Sequence, residues 1–204
     1  MEIAAAACAD MAEVSARLSW LRVTELWAVG AILGRPKDLE WVTVALSVDV
    51  PPAQVPWWSI PQGADGWSDM TRLSKYPLLK WWRSAHAPVW NHRIVRPLLV
   101  WSETGGLRQS ALDALREGRG SLVGLPEPTG EQLARRLDEE IAISLAALRT
   151  RNQEYEDRRW GRGRLEHIAD ALWHATDGYL DLLAASSSPD AAAVPSPRPA
   201  DSPA

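Results

Sequence analysis

Three groups of side chains in this 204-residue chain have types and spacings that could do chemistry. Asp38 and Glu40 stand one residue apart beside a β-prone run, so both carboxylates would fall on one face of an extended chain. Lys80, Trp81, Trp82, Arg83, Trp90, His92, Arg93 and Arg96 set cations beside flat rings. That is what a nucleotide or a single-stranded nucleic acid needs, the ring taking the base and Arg or Lys the phosphate. All eight lie between Met70 and Ser102, a stretch with no Asp or Glu. The bland reading of the same residues is a core of Trp81, Trp82 and Trp90 rimmed by solvated cations. His167, Asp170, His174 and Asp177 follow spacings of three, four and three, which lines them along one helical face. His167, Asp170 and His174 could ligate a metal with help from another helix, or simply be the polar face opposite an apolar stripe.

These residues depend on elements whose periodicity is legible. Ile3, Ala7, Met11, Val14 and Leu18 have helical spacing, so 3–21 is expected to be an amphipathic helix. Val23 to Val29 is β-prone and stops at Gly30, and Trp41 to Val50 places Val42, Val44, Leu46 and Val48 on one face. Two strands joined by a turn region are therefore expected. The prolines of 51–66 forbid a helix interior or central strand, which leaves a strap anchored by Trp57 and Trp58 or a lid. A short helix over Trp67 to Ser74 and an edge or bulged strand over Ile94 to Trp101, limited by Pro97, follow. Beyond Gly106, Ser110 to Glu117 is expected to be helical. Thr129 and Gln132 form a capping-box pair ahead of a long helix with Leu133, Leu137, Ile141, Leu145, Leu148 and Tyr155 in one stripe. A last helix with Ile168, Leu172, Ala175, Tyr179 and Leu182 is suited to pair with it as an antiparallel hairpin.

The sequence Trp27-Ala-Val-Gly30-Ala31, followed by Asp38-Leu-Glu40-Trp41-Val-Thr43-Val44, resembles the opening of the nucleotidyltransferase fold. In that family a strand ends in a Gly-Ser or Gly-Gly pair, and the next strand presents paired acids that hold two metal ions. The resemblance implies Mg²⁺ at Asp38 and Glu40, and it is degenerate. Ala31 has no hydroxyl, and Trp41 and Thr43 occupy the places where the strand's alternation asks for carboxylates. Arg162-Gly-Arg-Leu-Glu-His167 resembles the Arg-x4-His motif of HEPN-type ribonucleases, which would make Arg162 and His167 act on a scissile phosphate. Pro88-Val-Trp-Asn-His-Arg-Ile-Val-Arg-Pro97 and Gly178-Tyr-Leu-Asp-Leu-Leu183 resemble an actinobacterial family of unknown function. That last resemblance supplies no activity.

Composition bounds the rest. The chain is 46% hydrophobic and 24% charged with a net charge of −4, values of a soluble globular protein and not of one that coats nucleic acid by bulk charge. A single cysteine excludes an internal disulfide framework, and the N-terminus has no basic, apolar leader, so a cytoplasmic protein without a membrane partner is expected. Its aromatic content is twelve Trp, three Tyr and no Phe, ten of the Trp falling between Trp20 and Trp101. The resulting expectation is an α+β chain. It divides into a mixed lobe with a small sheet over 1–105, a helical lobe ending in the hairpin over 106–185 and a disordered Pro/Ala/Ser tail over 186–204. Functionally it reads as a non-catalytic, nucleotidyltransferase-like binding protein. Its ligand would be a nucleotide or nucleic-acid end at 70–102, or a protein partner or second copy on the hairpin. The alternatives are a metal-dependent nucleotidyltransferase or HEPN-like ribonuclease, and a helical interaction module.

Overall fold

The computed structural model describes residues 1–18, 21–35, 38–161 and 165–187. Helix α1 (Glu2–Leu18) leads into a five-stranded mixed sheet of order β3-β2-β1-β4-β5. Strands β1 (Val23–Val29) and β2 (Val42–Val48) are antiparallel, with Leu26 opposite Leu46 and Ala28 opposite Val44. Between them Gly30, at φ +73°, starts a short 3-10 turn, a left-handed conformation that glycine adopts without steric cost. After β2 the proline-rich strap and α2 (Ala64–Thr71) carry the chain over to β3 (Leu78–Ser84), which runs parallel to β2. Strand β4 (Leu98–Ser102) pairs antiparallel with β1 on its other side, and the two-residue β5 (Gly106–Leu107) closes that edge. Helices α3 (Gln109–Arg116), α4 (Gly120–Val123), α5 (Gly130–Arg158) and α6 (Glu166–Ser187) complete the order.

Period-two alternation gives the sheet two buried faces. Leu26, Ala28, Val44, Leu46, Val48, Trp82 and Val100 pack under α1, α2 and α3, against Ala4, Cys8, Met11, Trp67, Ala111 and Leu112. Burial pushes the Cys8 thiol up to about 12, so it stays protonated and serves as a small apolar residue. Trp27, Val29 and Ala45 point to the opposite face, where they join Trp57, Val89, Ile94, Leu137 of α5 and Leu182 of α6 in a second cluster. The neighbouring Trp81 and Trp82 therefore anchor different layers. Trp82 meets Trp67 edge-on at 5.6 Å, and Trp81 meets Trp57 edge-on at 5.4 Å.

Several expected elements are realised, and some shift. The Thr129–Gln132 capping box starts α5, Thr129 accepting from the Gln132 amide and the Gln132 side chain accepting from the Thr129 amide. The strap is packed, with Trp57 2% exposed. Where it crosses α6, a Cβ on Gly178 would lie 2.2 Å from the Trp57 carbonyl oxygen, so only glycine fits that crossing. The helix expected over 67–74 begins at Ala64 and gives way at Arg72 to a 3-10 turn. The strand expected from Ile94 starts only at Leu98, because Pro97 has no N–H to give a ladder; its bulge lies against Leu26 and Trp27. Lys80 to Arg83, read above as part of a ligand-binding stretch, is the middle of β3. Ser186 and Ser187 belong to the last turn of α6, their hydroxyls donating to the Leu183 carbonyl. The rest of the expected tail, 188–204, lies outside the described residues.

Candidate functional site

The most polar part of the interior lies where β3 and the loop after it meet α5 and α6. Arg83 points from β3 toward α5, and its side chain is 3% exposed. Its guanidinium bonds one carboxylate oxygen of Glu140, itself 5% exposed, while Nε donates to the Val89 carbonyl at 3.0 Å. The same oxygen of Glu140 lies 2.9 Å from Arg136, one helical turn earlier, and Arg136 also donates to the Pro88 carbonyl at 3.2 Å. Asn91, fully buried, donates to the second oxygen of Glu140 at 3.0 Å; its side-chain carbonyl accepts from the amides of Arg93 and Ile94. Desolvation lowers the Arg83 pKa although Glu140 opposes it, and Arg136 adds to the lowering. One carboxylate thus holds two guanidiniums, and both Arg residues reach carbonyls of the loop at 88–89.

A second cluster sits on α6. Asp181 accepts from Trp57 Nε1 at 2.8 Å, is 2.7 Å from His92 Nε2, and accepts from Arg93 Nε at 3.2 Å. Burial alone would raise the Asp181 pKa, but hydrogen bonds from His92, Arg93 and Trp57 outweigh it and hold the carboxyl well below the usual range. The His92 ring also packs edge-on to Trp57 at 5.6 Å. Asp181 therefore ties the strap and the loop after β3 to the last helix.

Of the eight residues expected to bind a ligand, the structure brings Arg83, His92 and Arg93 to these two carboxylates. Trp82 is buried on the opposite face of the sheet, and Lys80 donates to Ser68 of α2 at 3.0 Å. Arg96, exposed, pairs with Glu127 at 2.8 Å. Trp90 is half-buried in a shallow groove beside Leu125, Pro128 and Gln132, and Trp81 is half-buried against Trp57. Asp38 and Glu40 are exposed in the irregular segment ahead of β2, with Trp41 also exposed. His167 and Asp170 are exposed on α6, and the half-buried His174 ring lies 4.9 Å from that of Trp173. Among the described residues no group of three or more His, Cys, Asp or Glu is placed to hold a metal ion. Arg162 lies outside the described residues, so the Arg162–His167 spacing acquires no geometry here.

Trp57 was expected to anchor the strap; the residues that organise this region and were given no role from the sequence are Arg136, Glu140, Asp181 and Gly178. A signal for two of them exists. Arg136 and Glu140 are four apart and interleave with Leu133, Leu137 and Ile141, so they stand on the face that buries α5. A charged i,i+4 pair inside an apolar stripe marks a buried ionic contact, although its partner on β3 is invisible locally.

The chain belongs to the family described as a domain of unknown function (DUF7711), whose model matches residues 1–188. No curated protein and no solved structure matches it. Among the described residues no helix is long and apolar enough to cross a membrane.

Proposed function

We propose that this chain is a non-catalytic binding protein and that its working surface is the outward face of α6, which engages another protein. One observation carries the reading. Ala169, Trp173, Thr176, Leu180 and Ala184 recur at spacings of four, three, four and four, which places them on a single helical stripe. That stripe lies opposite the side that buries Ile168, Ala175, Gly178 and Leu182. Trp173 is 47% exposed and Leu180 55% exposed. Thr176 turns its hydroxyl back to the Leu172 carbonyl at 2.8 Å, so it presents its methyl group to the stripe as a further apolar element. A helix apolar on two opposite sides is the pattern of one covered on both. There is no Lys or Arg from Glu166 to Ser187, and Glu166, Asp170 and Asp177 border the stripe. That border suits an apolar partner surface edged with cations.

Other features support a binding role over a catalytic or nucleic-acid one. Two cations of 70–102 are engaged by buried carboxylates within the molecule, Arg83 by Glu140 and Arg93 by Asp181. The resemblance to the nucleotidyltransferase fold enters as a scaffold. The resemblance rests on the order of helix, strand, Gly30 turn and second strand in the sequence, while Ala31, Trp41 and Thr43 stand in place of its hydroxyl and carboxylates. The test is a photo-crosslinking side chain at position 180, with one at position 158 as control, in the full chain inside its source cells. A single discrete protein adduct from 180, absent from 158 and removed by Trp173→Glu, is expected. No adduct, or equal adducts from both positions, overturns the proposal.

A further inference from the structure

Between the strap and α5 the interior opens into a recess walled by Pro52, Val55, Pro56, Trp57, Ser84 and Ile143, with Arg83, Arg136 and Glu140 at its base. Three observations converge on it. The first is charge. Two guanidiniums whose side chains are 3% and 8% exposed share one carboxylate that is 5% exposed. The remaining acid, Glu139, reaches Arg136 at 3.2 Å but is 53% exposed, so water screens much of its field. The buried part of the cluster therefore carries more positive than negative charge, which is costly in a low-dielectric interior unless something neutralises it. The second is hydrogen bonding. Arg136 Nε is buried and has no acceptor among the described residues, although buried donors are nearly always satisfied. The third is size. The space beside these side chains is small, room for a single particle of about the size of a water molecule.

We infer that this recess is a binding site for one small monovalent anion of halide size, held by Arg83 and Arg136 beneath the proline strap. A water would accept from Arg136 Nε equally well, but it would leave the excess positive charge in place. An anion meets both demands, and it joins the strap to α5 at the point where the Arg83 guanidinium also lies 5.3 Å from the centre of the Trp57 ring. The site is independent of the outward face of α6, so either assignment can fail without the other.

The experiment is thermal unfolding of the full chain in sodium chloride, sodium bromide or sodium gluconate at matched ionic strength, together with bromide-soaked crystals read by anomalous scattering. Chloride and bromide are expected to raise Tm by about 2–5 °C over gluconate in a saturable manner, the shift of a ligand near tenfold above its Kd. A bromide peak beside Arg136 Nε is expected with it. Arg136→Lys, which keeps the charge and removes the Nε donor, and Ile143→Phe, which fills the recess wall, should each abolish the halide-specific shift. Because Ile143 is half-buried on α5, the second variant remains informative if the first fails to fold. A Tm that follows ionic strength alone, or a recess holding only water in bromide, overturns the inference.

Discussion

The two faces of the sheet are built by opposite means. On the face under α1, α2 and α3 the buried cluster is made of apolar side chains, Leu26, Leu46, Val100 and Trp67 among them, and Lys80, which donates to Ser68 of α2, is only half-buried. On the face under α5 and α6 the apolar cluster is interrupted by Arg83, Glu140, Arg136, Asn91, His92 and Asp181. The difference shows what each layer must specify. A helix can be laid on an apolar face in several registers at similar free energy, because hydrophobic attraction has no direction. Hydrogen-bonded charges accept only one register. The α5–α6 hairpin and the long irregular loop from Ala85 to Pro97 have little regular backbone pairing to fix them against each other. Glu140 and Asp181 supply that fixing.

Breaking the polar face should give the largest losses. Glu140→Gln leaves two buried guanidiniums facing a neutral amide and is expected to cost about 3–5 kcal/mol, read by denaturant unfolding. Leu46→Ala, on the apolar face, should cost a similar or smaller amount, about 2–4 kcal/mol. The two should differ in pH response. The folded-state pKa of Asp181 is depressed, so its contribution is complete above the ordinary carboxyl value of about 4 and is lost as pH falls below it. Asp181→Asn should cost about 2–4 kcal/mol at neutral pH and flatten the acid limb of the stability curve, whereas Leu46→Ala should shift that curve without changing its shape. An unchanged acid limb in Asp181→Asn would remove the basis for contrasting the faces. Gly178→Ala, which drives a methyl into the Trp57 carbonyl, should cost about 1–3 kcal/mol and make the strap more accessible to protease. The smallest effect belongs to the surface. Leu180→Glu should alter stability by no more than about 0.5 kcal/mol while removing the binding surface of α6.

The apolar face was legible in the sequence because its information is periodic. Val42, Val44, Leu46 and Val48 alternate, and Ile3 to Leu18 recur at helical spacing; on the other face only the start of α5 was marked, by Thr129 with Gln132. Strand β3 was hidden because its residues point both ways. Trp81 and Trp82 serve different layers, and Lys80 and Arg83 replace the apolar residues that alternation would seek. A stretch with no acids therefore read as a surface for an anionic ligand. Its acids are present, on Glu140 and Asp181, 57 residues from Arg83 and 88 from Arg93 in the chain, and no local pattern connects them. The exposed pair Asp38 and Glu40 shows the converse, a suggestive spacing that the fold does not bring to other acids.

The account rests on Arg83 and Glu140 being partners of each other and not separate contributors to a surface. A double-mutant cycle with Arg83→Met, Glu140→Met and the double variant, followed by urea unfolding, measures that directly. The double variant is expected to lose less than the sum of the single losses, with a coupling of at least about 1.5 kcal/mol, because each single change removes the same buried Arg83–Glu140 contact, which the double variant loses only once, while Arg136 is present throughout. Losses that simply add would contradict the pairing and return Arg83 to the set of residues free to meet a ligand.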